Sequence, residues 1–451
     1  MSRLDRSRPP QGGSARAVRF PPIERHRFAN GLEALVVVAR HAPLAMVQVL
    51  TPAGTLEEPL EKAGLATLTA SLLDEGTAHR TGPEIAAAVE QLGGELGTGA
   101  NWDLANAWLQ MRSRDLGLGL ELLTEIVTAP ELPEHETERL KQERLAELLR
   151  RKDSPETLAE VTILEAVYGR GGPYGRSILG DESTVARIGR EDVAAFFRRY
   201  WGLAGGHVLV VGDVDPGEVF RRLEGGLGAT PAATSPAPTV FREAPPSTRR
   251  VVIVDRPHAR QTELRLGKAG LPRNHPQYLV LRLLSSLLGG KFTSRLNLNL
   301  RERLGLTYSV QCSFQPRRGP SPWVVRAAVA TDATAQATAE ALAEIERLRT
   351  EPVGARELAE TVDYLTGTFA YTLQTLFDLA GRLEELVAFG LPDDAFERQA
   401  EQYRAITAGQ IRQLAEEMLD PAQMPIVAVG PAAELEGALA PFGEVSRISA
   451  A

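Results

Sequence analysis

Residues able to do chemistry are sparse and scattered in this sequence. The seven histidines are His26, His41, His79, His135, His207, His258 and His275. None lies within two helical turns of another, so no pair is spaced to share a metal on one helical face. The single cysteine, Cys312, excludes an intrachain disulfide and a cysteine-based metal site. The glycine-rich stretch GRGGPYG at 169–175 lacks the Lys-Ser/Thr of a phosphate loop and reads as a turn.

Bulk properties narrow the field. At 451 residues the chain is too long for one ordinary core. Its 58 acidic and 50 basic residues leave a formal charge of −8, which gives no global attraction to nucleic acid. The first 22 residues carry arginines, Pro and Gly without the apolar run of a secretory signal, so residues 1–22 read as a disordered leader. No stretch approaches the roughly 20 apolar residues of a membrane span. The expectation is a cytoplasmic protein.

The elements that must position any site come in two similar halves. Pro/Ala/Thr/Ser-rich sequence at 229–249 reads as a linker between domains at 23–228 and 250–445. Ile188, Val193, Val211 and Gly212 recur as Ile406, Ile411, Val429 and Gly430, each displaced by 218 residues. A common offset at four positions indicates duplication. LEALVVVA and MVQVLTPAG are β-branched runs around His41-Ala42-Pro43, a hairpin-like opening. AGLATLTASLLDEG, GPEIAAAVEQLGG, RDLGLGLELLTEIV and HETERLKQERLAELLRR have helical apolar spacing. Strands return around Asn101 to Met111 and at HVLVVGD, and the second half repeats the scheme. Each half is therefore expected to be α+β, helices over a largely antiparallel sheet.

The segment Gly64-Leu65-Ala66-Thr67-Leu68-Thr69-Ala70-Ser71-Leu72-Leu73-Asp74-Glu75-Gly76-Thr77 resembles the pitrilysin/insulinase family of zinc metallopeptidases, of the mitochondrial-processing-peptidase-like kind. Between the same flanks that family carries His-x-x-Glu-His on a helix, two imidazoles for zinc and a glutamate to deprotonate its water. Here those positions are Thr67, Ala70 and Ser71. Two hydroxyls and a methyl group neither ligate zinc nor act as general base. The family's later glutamate ligand falls near Glu143 or Glu147, which without histidines beside them read as solvated helix surface. His79 follows the motif in what reads as a surface loop.

The resemblance spans residues 24–443. It includes Asn30-Gly31-Leu32, Gly54 with Glu57-Glu58, Gly93-Gly94-Glu95, Pro173-Tyr174-Gly175 and Val211-Gly212-Asp213. In the second half, Arg301 and Tyr308 match the family's substrate-gripping Arg/Tyr pair. A guanidinium and a phenol are donors suited to a peptide carbonyl gaining negative charge. Gly305 can end the helix carrying Arg301 and turn the chain into the strand carrying Tyr308. Without the resemblance, Arg301 reads as a surface helix residue and Tyr308 as a packed strand residue. Arg295 and Arg303 read as surface charges.

Some bacterial family members divide the work between two chains, one with zinc and one with the Arg/Tyr pair. The resemblance implies that this chain is of the second kind. It would hold no cofactor itself, form a heterodimer with a zinc-bearing homologous subunit, and act on peptides only within that pair. The alternative is a non-catalytic structural or peptide-binding scaffold subunit of a larger assembly.

Overall fold

The computed structural model describes residues 19–231, 236, 239 and 243–449. Residues 1–18 of the expected leader, and part of the expected linker, lie outside the described residues. Phe20 lies within them, and its ring is buried with its centroid 5.5 Å from that of Phe396.

Strands β1 Ile23–Arg27, β2 Glu33–Val38, β3 Leu44–Thr51, β4 Glu95–Ala100, β5 Ala105–Arg112 and β6 His207–Gly212 form one sheet, in the order β1-β2-β6-β3-β5-β4. A second sheet is built from β7 Arg250–Asp255, β8 Gln261–Ala269, β9 Thr307–Phe314, β10 Pro322–Ala330, β11 Ile426–Gly430 and β12 Glu444–Ser449. Its order is β12-β7-β11-β8-β10-β9. Without the outer strands β1 and β12 the two orders are the same, as duplication requires. The sheets are mixed: β2/β6, β7/β11 and β7/β12 are parallel and the remaining pairs antiparallel.

The hairpin expected between β2 and β3 does not form. β6 arrives from the end of the first half and inserts between them, parallel to β2 and antiparallel to β3. Local sequence suggested the hairpin, but a strand as apolar as His207–Gly212 is buried in the middle of a sheet.

Both faces of each sheet are covered, and the second cover is exchanged. In the first sheet Val36, Val47, Val49, Val208 and Val210 face helices of their own half. The alternating residues Leu35, Val37, Met46, Leu50, Leu209 and Val211 pack instead against Leu376, Leu379, Leu383 and Leu386. These lie on helix Leu376–Phe389 of the second half. Reciprocally, Val252, Val254, Val427 and Val429 pack against Ala159, Ile163 and Val167 of helix Pro155–Tyr168 from the first half. Each fully buried Leu or Val is worth about 1.5–3 kcal/mol. Each exchanged helix also sends a glutamate to the other sheet. Glu160 accepts two hydrogen bonds from Arg326 at 2.9 and 2.6 Å, and Glu384 accepts one from Gln48 at 2.8 Å.

Candidate functional site

The motif segment folds as helix Leu65–Ser71, which begins at Gly64 with φ +97°. Glu58 caps it: its carboxylate accepts from Gly64 N at 3.0 Å and Ala66 N at 2.8 Å. Burial raises the pKa of Glu58 to about 7, against the lowering effect of these N–H groups and of Arg176. Ala70 is fully buried, and the Ser71 hydroxyl donates to the Thr67 carbonyl at 3.0 Å.

Helix Glu134–Arg151 runs beside the motif helix. Neither expected glutamate bonds Thr67, though Glu147 lies 3.6 Å from Arg144 Nε. Glu143 accepts from Arg139 at 2.8 Å and Glu147 from Arg151 at 3.4 Å. The side chain that reaches the motif is Arg144, whose guanidinium donates to Thr67 Oγ1 at 2.8 Å. That hydroxyl donates in turn toward the carbonyls of Gly64 and Ile178, at 3.1 and 2.9 Å. Zinc does not fit this donor set, since the groups present are hydroxyls, a methyl and a cation. Among the described residues no three His, Cys, Asp or Glu side chains are grouped to hold a metal. His79 is exposed in the loop after Thr77.

In the second half, helix Tyr278–Ser285 continues into a π-helical turn, Ser286–Gly290, and a second π-helical stretch covers Asn297–Arg303. The second was expected as an ordinary helix. Leu304 N–H reaches back five residues to the Asn299 carbonyl at 3.0 Å, which widens the last turn. As expected, Gly305 closes the helix at φ +64°, and Leu306 N bonds Leu300 O at 2.8 Å. The chain then enters β9, the outer strand of its sheet.

This turn brings Arg301 and Tyr308 together, with Arg301 Cζ 5.5 Å from the Tyr308 ring centroid. Tyr308 is not a packed strand residue: by alternation it would share the face of buried Val310 and Cys312, but the register shifts where Tyr308 and Ser309 together oppose Ala328, and Tyr308 is 88% exposed. The other two arginines are engaged. Arg295 forms a two-pronged contact with Glu357 at 2.7 and 2.8 Å, and Arg303 bonds Asn299 and Glu340. Among the described residues the Arg301 guanidinium makes no hydrogen bond and a single ion contact, its Nε 3.4 Å from Glu302. Its N–H groups are the ones left to meet a ligand.

Asn297 holds the pieces in place. Its buried amide donates to Val310 O at 2.9 Å, Ser294 Oγ at 3.0 Å and Lys291 O at 3.3 Å, tying the helix start, the preceding loop and β9 together. Two residues here escaped the sequence reading, Arg144 and Phe292. Arg144 had a signal: it follows Thr137 and Leu140 at helical spacing on the inward face. Phe292 had none beyond its place after Gly289-Gly290-Lys291.

Two homologous α+β units that each lay a helix over the other's sheet form a peptidase-like fold. The chain belongs to the pitrilysin/insulinase family of peptidases. The model described as Insulinase (Peptidase family M16) matches residues 35–182, and that described as Peptidase M16 inactive domain matches residues 187–365. An uncharacterized zinc protease of Streptomyces coelicolor is 24% identical over 293 residues, 64% of this chain and 63% of that one. Another, of Mycobacterium leprae, is 28% identical over 305 residues, 65% of this chain and 66% of that one. The match thus spans slightly less than two thirds of either relative. The crystal structure of a peptidase M16 inactive domain from Pseudomonas fluorescens aligns with a TM-score of 0.84 and 25% identity, over 91% of this chain and 98% of that one.

Proposed function

We propose that this chain is the substrate-gripping, non-zinc subunit of a two-chain peptidase, working on extended peptides beside a homologous subunit that carries His-x-x-Glu-His. The observation that carries this reading is the contrast between the two halves. In the first, Arg144 is bonded to Thr67 where a metal ligand would stand. In the second, Arg301 and Tyr308 stand side by side, with Tyr308 open to solvent.

The chemistry assigned to this chain is donation. The Arg301 guanidinium and the Tyr308 hydroxyl hold a peptide carbonyl and stabilise the negative charge its oxygen gains when water attacks. Hydrolytic water activation is assigned to the partner. A scaffold subunit has no use for an 88% exposed tyrosine beside an arginine with so few contacts. The family fold alone would serve that alternative equally well.

The test is peptidase activity of the co-expressed pair. Arg301→Ala is expected to lower kcat by about 10²-fold, the scale for removing one oxyanion donor. Tyr308→Phe is expected to lower it less. The purified single chain should neither cleave peptides nor retain stoichiometric zinc. Full activity in both variants moves the chain to the scaffold reading.

A further inference from the structure

Phe292 has no role in the core. It lies in the loop between the two π-helical stretches and is 64% exposed. Phe292 and Tyr308, two of the ten exposed large hydrophobic residues among those described, flank one guanidinium, and Leu298, three residues before Arg301, is also 51% exposed. Contiguous exposure of this kind marks a binding surface.

The loop that presents Phe292 is fixed. The Lys291 carbonyl accepts from Ser294 N at 3.0 Å and from the Asn297 amide, and Ser294 is fully buried. Just before it, Gly289 sits so close to β9 that a Cβ there would be 2.5 Å from Cys312 N. The backbone around Phe292 is thus held on both sides while its ring is left in solvent.

The ring's contact with Arg301 explains why. Arg301 Cζ lies 4.3 Å from the Phe292 ring centroid, nearer than the 5.5 Å to Tyr308. A guanidinium stacked on an aromatic face keeps its N–H donors, which lie in its own plane, free to point outward. Stacking also replaces the many rotamers of a free arginine by one orientation, at no cost in donors. We propose that Phe292 is a positioning residue: it braces Arg301 so that its N–H edge meets the carbonyl of the bound peptide. This rests on the substrate-gripping reading above.

Two measurements test it. In the first, the full chain is labelled with ¹⁵N-arginine and the Arg301 Nε–H signal is identified by its loss in Arg301→Lys. The ring current of Phe292 should displace that signal, and Phe292→Leu should return it toward the position of free arginine, whereas Phe292→Tyr should not. In the second, kcat and KM are measured for the co-expressed pair. Phe292→Leu, which keeps apolar bulk but has no aromatic face, should lower kcat by about 3- to 30-fold, the range of a cation–π contact, with little change in KM. Phe292→Tyr should recover most of the loss. In an Arg301→Ala background Phe292→Leu should cost nothing more, since it acts through a group already removed. An Arg301→Ala pair that is impaired while Phe292→Leu is fully active, or losses that multiply in the double variant, would overturn the inference and leave the gripping reading standing. Full activity in Arg301→Ala would overturn the role of Phe292 in catalysis, and full activity in Tyr308→Phe as well would bring down the gripping reading with it. An Nε–H signal unmoved by Phe292→Leu overturns the stacking itself.

Discussion

The Arg144 guanidinium donates to Thr67 Oγ1 at 2.8 Å, so a partly buried cation is bonded to the first of the three positions that resemble the family's zinc motif. Desolvation lowers the pKa of Arg144, and the nearby charges of Glu147 and Glu58 oppose that. Thr67 and Ser71 are thus engaged in bonds of their own, and substitution at these positions tests whether the site can hold a metal.

Restoring the motif residues alone should not restore a metal site. Thr67→His, Ala70→Glu and Ser71→His together place the right donors on the helix but leave the arginine among them. The triple variant is expected to bind zinc weakly, and adding Arg144→Glu should tighten binding by more than tenfold. Zinc titration of the two proteins decides this; tight stoichiometric binding by the triple variant would refute the exclusion by Arg144.

Glu58 should make stability depend on pH. Its native pKa is raised to about 7 from 4.5, so its favourable contribution is complete below the unfolded value and is lost as pH rises through the native one. At about 1.4 kcal/mol per tenfold change in proton affinity, this group lowers the unfolding free energy by up to ~3 kcal/mol across that window. Urea unfolding between pH 4.5 and 7.5 should show this slope in the native chain and a flatter one in Glu58→Gln. An unchanged slope would mean that Glu58 titrates normally.

The exchanged helices predict that the first half cannot fold cleanly alone. A fragment ending at residue 231 keeps the sheet face of Leu35, Val37, Leu209 and Val211 but loses Leu379 and Leu383 from above it. It should bind a hydrophobic dye strongly and aggregate. In the full chain Leu383→Ala should cost about 2–5 kcal/mol by leaving a cavity in that seam. A monomeric fragment with sharp near-UV dichroism would contradict the exchange.

Two glycines near the grip should fail for different reasons. Gly305→Ala meets open space but carries φ +64°, costing about 1–2 kcal/mol. Gly289→Ala has no such backbone demand, yet its methyl would press on Cys312 backbone at 2.5 Å. Overpacking of this kind costs about 1–3 kcal/mol and shifts the loop bearing Phe292. Thermal melts rank the two, and Gly289→Ala should disturb Arg301 more in the NMR measurement above.

Much of this protein follows from its sequence because the responsible interactions are local. Apolar alternation and turn residues mark most elements, the 218-residue offset marks the duplication, and the missing histidines between Gly64 and Thr77 are plain in the residues themselves. So is the spacing of Arg301, Gly305 and Tyr308, since a left-handed glycine between a helix and a strand sets their separation over only a few residues.

Tertiary structure alone decided the rest, because long-range packing chose between options that are locally equal. β6 displaced the hairpin by burying its valines between β2 and β3. Helices Pro155–Tyr168 and Leu376–Phe389 each cover the other half's sheet, which their own apolar stripes do not specify. Tyr308 is exposed where the register of β9 shifts against β10, and Phe292 finds Arg301 because Asn297 ties loop, helix and strand together. Which arginine stays open to a ligand is likewise a matter of where the acidic residues land, with Arg295 and Arg303 engaged by Glu357 and Glu340 from distant helices.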